Sequence, residues 1–193
     1  MKARLTLICH GPTASNRAAT FPADEPLEDK AAHQTAQLAG HVIGARRTWI
    51  SPTRRTRQTA EILGLTGELA PALRDCDYGR WTGKTIAEIH AEDPEGLAAW
   101  MAAFEAAPHG GEALSALFSR VGAWLDDRRA DAGHTVAITH ASVIRACLLH
   151  VLQAPPQAFW KIDVEPLSVT DISGDGRRWA LRLTSARAGF EPA

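Results

Sequence analysis

Cysteine is scarce in this chain: three residues in 193, Cys9, Cys76 and Cys147. An odd count without paired spacing argues against a disulfide framework and a zinc ribbon, and reads as reduced thiols. Long apolar runs are missing as well. Met1-Lys2-Ala3-Arg4 leads into a run of only four residues, Leu5 to Ile8, before Cys9-His10. That is shorter than the roughly 7 to 15 residues of a secretory core or the roughly 20 of a membrane-spanning helix. The expectation is a cytoplasmic protein with no membrane partner. Basic clusters are absent too: 21 Lys and Arg balance 22 Asp and Glu for a net charge of −1. No electrostatic footprint for nucleic acid is present, and any positive site must be local. Internal repeats and low-complexity stretches are lacking. With 45% hydrophobic residues the length supports one core, hence one domain over 1–193.

Against this background the apolar run that ends in Cys9-His10-Gly11, with Thr13 and Asn16 close behind, is the most informative feature. A buried strand ending in histidine and glycine presents an imidazole at a loop where backbone N–H groups can face an anion. A second apolar run, Thr135 to Thr139, ends the same way in His140 and continues as Ala141-Ser142-Val143-Ile144-Arg145. Two strand-terminal histidines can share one pocket.

Between these runs, Ala14 to Leu27 reads as a loop and Glu28 to Ile43 as one helix. A strand falls around Thr48-Trp49-Ile50. Ser51-Pro52 then reads as the cap and first residue of a helix through Leu63 that carries Arg54, Arg55 and Arg57. Leu69 to Gly83 reads as a loop with one short strand, and Ile86 to Phe104 as helix broken at Asp93-Pro94. Helices are expected over Ala113 to Arg129 and Ser142 to Leu152, and an antiparallel hairpin around Gly174-Asp175-Gly176. Trp49, Trp100, Trp124, Trp160 and Trp179 read as core or sheet cover, Trp81 as a wall of the pocket, and Arg54 and Arg145 as solvated helix residues. Alternating strands and helices predict a three-layer α/β/α domain with a mostly parallel central sheet and a site beyond the carboxyl ends of its strands.

Five segments in order resemble the histidine phosphatase superfamily, the phosphoglycerate mutase-like group. They are Cys9-His10-Gly11-Pro12-Thr13 with Asn16; Ser51-Pro52-Thr53-Arg54-Arg55; Leu73-Arg74-Asp75 with Gly79-Arg80-Trp81-Thr82-Gly83; Gly110-Gly111-Glu112-Ala113; and Thr139-His140-Ala141 with Ile144-Arg145-Ala146. The resemblance implies a phosphomonoesterase acting on small phosphorylated metabolites without metal or organic cofactor. It makes His10 the nucleophile that forms a phosphohistidine, Arg55 and His140 the donors to the phosphoryl oxygens, and Asp75 the acid and then the base. Cys9, Gly11, Thr13, Asn16 and Arg17 are the expected phosphate or substrate contacts.

The main departure is Cys9, where the family has arginine. Loss of one such stabiliser costs roughly 10²-fold to 10³-fold in rate unless Arg17 or Arg57 swings in. A weakened phosphoester-binding protein of the same fold is therefore the alternative, with a mutase-type phosphotransferase behind it, since Gly83 to Gly110 is short. Cys9 with His10, His140 and Asp75 also admits a metal reading, and Cys9 a reactive thiol if arginines lower its pKa. The loops Ala14 to Pro26 and Ile86 to His109 are expected to set specificity. The hairpin edge admits a homodimer.

Overall fold

A computed structural model describes residues 2–183. Six strands form one sheet in the order β3-β2-β4-β1-β5-β6, namely β1 (Ala3–Cys9), β2 (Arg47–Ile50), β3 (Glu68–Leu69), β4 (Gly133–Thr139), β5 (Val169–Gly174) and β6 (Trp179–Arg182). The first four of that order run parallel, and β5 and β6 are antiparallel. Strand β1 sits between β4 and β5 and reads as a nearly continuous buried run because both of its faces are covered.

Alternation along β1 divides its side chains. Leu5, Leu7 and Cys9 enter a large core with residues of α7 (Leu114–Asp126) and α8 (Ala141–Leu152). Ile8 joins Ile50, Val136 and Ile138 on the opposite face, against Ala60 and Leu63. That second layer is built from α2 (Ala31–Ala36), α3 (Ala39–Val42) and α4 (Arg54–Ile62). The three-layer arrangement matches the sequence expectation.

Several local expectations are corrected. Ala14 to Leu27 is not all loop: α1 (Ala14–Ala18) forms because Thr13 and Asn16 make a reciprocal capping box. The single helix expected over Glu28 to Ile43 is two, because Leu38 N–H donates to Thr35 O and His41 N–H to Leu38 O in tight turns, with Gly40 adding no helix propensity. Helix α4 starts later than expected. Ser51 N–H is still in the ladder, donating to Ile138 O, and the first helical N–H, of Arg54, is capped by Asp24 Oδ1 at 2.6 Å. The break at Asp93-Pro94 separates α5 (Ile86–Glu92) from α6 (Pro94–Ala102), as expected.

Candidate active site

Register brings the two histidines together. In the parallel β1–β4 pair Cys9 lies opposite Thr139, so His10 and His140 leave adjacent strand ends side by side. His10 N–H donates to Thr139 O at 2.9 Å, and the two imidazoles meet edge to face with centroids 5.2 Å apart. Strand β2 lies on the other side of β4, so Ser51 arrives beside them and its Oγ is 2.8 Å from His140 Nε2.

The His10 ring is 2.7 Å from Gly11 O through Nδ1. A carbonyl only accepts, so Nδ1 carries the proton and Nε2 bears the lone pair. Burial, reinforced by the Arg55 charge, lowers the His10 pKa to about 4, and burial takes His140 to about 3. Both rings are neutral at pH 7.

Arg55, in the first turn of α4, is 2% exposed. Its Nε donates to His10 Nε2 at 3.2 Å, Nη1 to Ala23 O at 2.7 Å and Nη2 to Asp75 Oδ2 at 2.7 Å. One guanidinium thus spans the nucleophile candidate, the acid candidate and the loop after α1, and its burial is tolerated because each edge has a partner.

Asp75 also accepts from Ser142 Oγ at 2.5 Å and stands 3.5 Å from His140 Nδ1. Burial works against its charge, but His140 when that ring carries a proton, the Arg55 guanidinium and the Ser142 hydroxyl outweigh it and hold Asp75 below the usual carboxylate range. A general acid at pH 7 needs a raised pKa, and in the free site Asp75 is shifted the other way.

The backbone that carries Asp75 is braced from α7. Arg120 donates to Ala72 O, Arg74 O and Asp75 O, while Glu112 takes its Nε and Nη2 at 2.6 and 2.8 Å. Gly111 permits this approach, since a Cβ there would lie 2.1 Å from Asp77 O. The Gly-Gly-Glu segment is thus the inner face of the acid loop.

Four expected contacts are placed otherwise. Cys9 is turned into the core by strand alternation, and burial first, then the Asp75 charge, pushes its thiol up to about 12. It meets neither the phosphate-contact nor the reactive-thiol expectation. Gly11 spends its N–H on Thr59 Oγ1 at 3.0 Å. Thr13 is engaged as the cap of α1. Arg17 is exposed and paired with Glu28 at 2.9 Å, and Arg57 is exposed on α4, so neither stands in for the missing arginine. Among the described residues no group of three or more His, Cys, Asp or Glu is placed to hold a metal ion.

A cavity of about 360 Å³ opens from His10 and Asp75, and Asn16, Ser142 and Arg145 help line it. Arg145 is not the solvated residue expected: its Nε donates to Ile162 O at 2.7 Å and its guanidinium lies 5.5 Å from the Phe159 ring centroid. Trp100 and Trp160 line this cavity rather than only covering the core, whereas Trp81 is buried behind it, edge-on to Trp100. Ser142, Arg120 and Phe21 went unread in the sequence. Ser142 had a signal, two positions past a strand-terminal histidine, but Arg120 in mid-helix had none.

The chain and its fold have counterparts among known proteins. The chain is 25% identical over 203 residues to the adenosylcobalamin/alpha-ribazole phosphatase of Escherichia coli, spanning 98% of this chain and all of that protein. It is 25% identical to phosphoserine phosphatase 1 of Hydrogenobacter thermophilus, over 91% of this chain and 88% of the relative. A bifunctional protein of Mycobacterium tuberculosis is 28% identical over 90% of this chain, which spans about half (51%) of that longer relative. The solved structure of a mycobacterial glucosyl-3-phosphoglycerate phosphatase with VO3 superposes with a TM-score of 0.80 at 26% identity, covering 93% of this chain and 97% of that one. The family model for the histidine phosphatase superfamily (branch 1) matches residues 5–187. The chain therefore belongs to the histidine phosphatase superfamily, branch 1.

Proposed function

We propose that the protein is a phosphomonoesterase for small phosphorylated metabolites, working without a metal as a single domain through a phosphohistidine on His10. The observation that carries this reading is the fixed tautomer of His10. Nδ1–H is held by Gly11 O, so a neutral Nε2 lone pair faces the Arg55 guanidinium, the natural seat for a phosphoryl group.

In the first step Nε2 attacks phosphorus in line and the bond to the leaving oxygen breaks. Asp75 enters ionised. A phosphomonoester monoanion, whose second pKa is about 6, brings the proton that Asp75 accepts and passes to the leaving oxygen. In the second step a water attacks phosphorus, Asp75 takes its proton, and the N–P bond breaks to return neutral His10. Arg55, His140 and the N-terminal N–H groups of α8 supply the fixed donors for the developing charge. Asn16, which lines the cavity, contacts substrate. The test is phosphate release from an aryl phosphate by the protein and by His10→Ala, together with trapping of acid-labile, base-stable phosphate on the intact protein. Release that persists in His10→Ala sinks the reading.

A second reading has its own support: Cys9 supplies no charge, and Arg55 is already bonded to three partners. A phosphoester-binding protein of this fold would melt higher with added phosphate yet release none from esters. A homodimer through the edge strand β6 remains our expectation, checked by the mass of the protein in solution by light scattering.

A further inference from the structure

One wall of the cavity is aromatic and continuous. Tyr78 and Phe21 lie with centroids 4.7 Å apart, Phe21 and Trp100 5.6 Å, Trp100 and Trp160 4.9 Å, and Trp160 and Phe159 5.1 Å. All five rings line the same cavity as His10. Each contact is tilted or edge-to-face, so the rings hold one another in place before any ligand arrives.

The mouth is apolar as well. Of seven large hydrophobic side chains exposed among the described residues, Ile86, Met101 and Trp160 border this cavity. Apolar surface gathered at one opening signals a ligand more than chance exposure does. Two of the polar wall groups are already committed, Asn16 Oδ1 to Thr13 and Ser142 Oγ to Asp75. The remaining hydrogen-bonding groups are scattered, the unpartnered Trp100 Nε1, the Tyr78 hydroxyl and Arg145 among them, so most oxygens of a hydroxyl-rich leaving group would lie against ring carbon, at a cost.

We propose that the alcohol half of the substrate is a planar, largely apolar ring system seated on the belt formed by Phe21, Tyr78, Trp100 and Trp160, with its phosphate at His10. This rests on the phosphomonoesterase reading and narrows its substrate class. Arg145, over the far aromatic Phe159, is the cation on this wall and marks where an electron-rich or anionic substituent of the ring would lie.

The experiment compares kcat/KM of the intact chain on three phosphate monoesters of primary alcohols, chosen so that leaving-group chemistry is alike: 2-(2-naphthyl)ethyl phosphate, n-hexyl phosphate and glycerol 3-phosphate. The naphthyl ester is expected to exceed both others by about tenfold or more, the scale of one or two good ring contacts. Trp160→Ala, which trims a partly exposed ring and leaves the core intact, is expected to remove most of that preference. Equal or better turnover of the hexyl or glycerol ester, abolished by His10→Ala, overturns the ring proposal while the phosphatase reading stands. A preference unchanged in Trp160→Ala overturns the seat on this belt. No ester hydrolysed above the His10→Ala background overturns the phosphatase reading and the proposal with it.

Discussion

At the scale of single residues, the chemistry turns on what burial does to titratable groups. Cys9, Cys76 and Cys147 are all buried, and burial raises each thiol pKa, to about 12 for Cys9 and Cys147. Thiolate is the reacting form, so alkylating reagents at pH 7 to 8 are expected to leave turnover unchanged over hours in the folded protein, as followed by activity and intact mass. Rapid inactivation with label on Cys9 would refute this. Arg55 is the reverse case, a charge kept because its fork is used on three sides. Arg55→Lys keeps the charge and loses the fork, and a drop of roughly 10²-fold to 10³-fold in kcat/KM is expected from steady-state rates. How much of this was legible differs by residue. His10 and His140 announce themselves as the ends of apolar runs. Cys9 is expected in the pocket because it stands where the resembled family has arginine, but it shares a strand face with Leu5 and Leu7, and that alternation puts its thiol in the core.

Among elements, the brace beneath the acid loop carries the clearest prediction. Glu112 and Arg120 are largely buried, at 9% and 17% side-chain exposure, and together they hold the backbone at residues 72 to 75. Arg120→Met leaves a buried carboxylate without its partner, and a loss of about 3 kcal/mol or more in unfolding free energy is expected from denaturant titration. Arg120→Met with Glu112→Leu should recover part of that stability but not the activity, because Asp75 is still misplaced. Nothing in a helical pattern flags Arg120, whose partners lie between 8 and 48 residues away in sequence. The delayed start of α4 was equally hidden: Ser51-Pro52 has the form of a cap, but Ser51 spends its amide on the sheet and its hydroxyl on His140. Strand positions other than that of β3, which lies at Glu68–Leu69 at the very start of the segment where a short strand is expected, and the helix break at Pro94 were readable because apolar runs and proline act locally.

For the whole molecule, fold and acid response are linked. His10 and His140 titrate near 4 and 3 folded against about 6.5 unfolded. Between those values the unfolded chain binds the proton and the folded one does not, so stability falls as the pH drops below 6.5. The depressed Asp75 works in the same direction, its contribution lost as the pH falls through its folded pKa. Each group contributes up to about 1.4 kcal/mol per pH unit inside its window. Melting temperature is expected to decline from pH 7 to pH 4, and less steeply in His140→Gln; equal slopes would refute the assignment. The three layers and the mostly parallel sheet followed from the alternation of strands and helices, whereas the strand order came only with the structure. The aromatic belt did not, because Phe21, Tyr78, Trp100, Phe159 and Trp160 come from four separated segments and only packing assembles them.

The three bonds of Arg55 have a consequence for turnover. An anion that takes the Arg55 N–H groups now given to the carbonyl of Ala23 and the carboxylate of Asp75 competes with rivals tethered within the same molecule at high local concentration. An ester brings its organic half to help win that contest; the orthophosphate left behind does not. Spent phosphate should therefore hold on weakly, with an inhibition constant in the millimolar range, so that the resting ion pair acts as an ejector that clears the site for the next turnover.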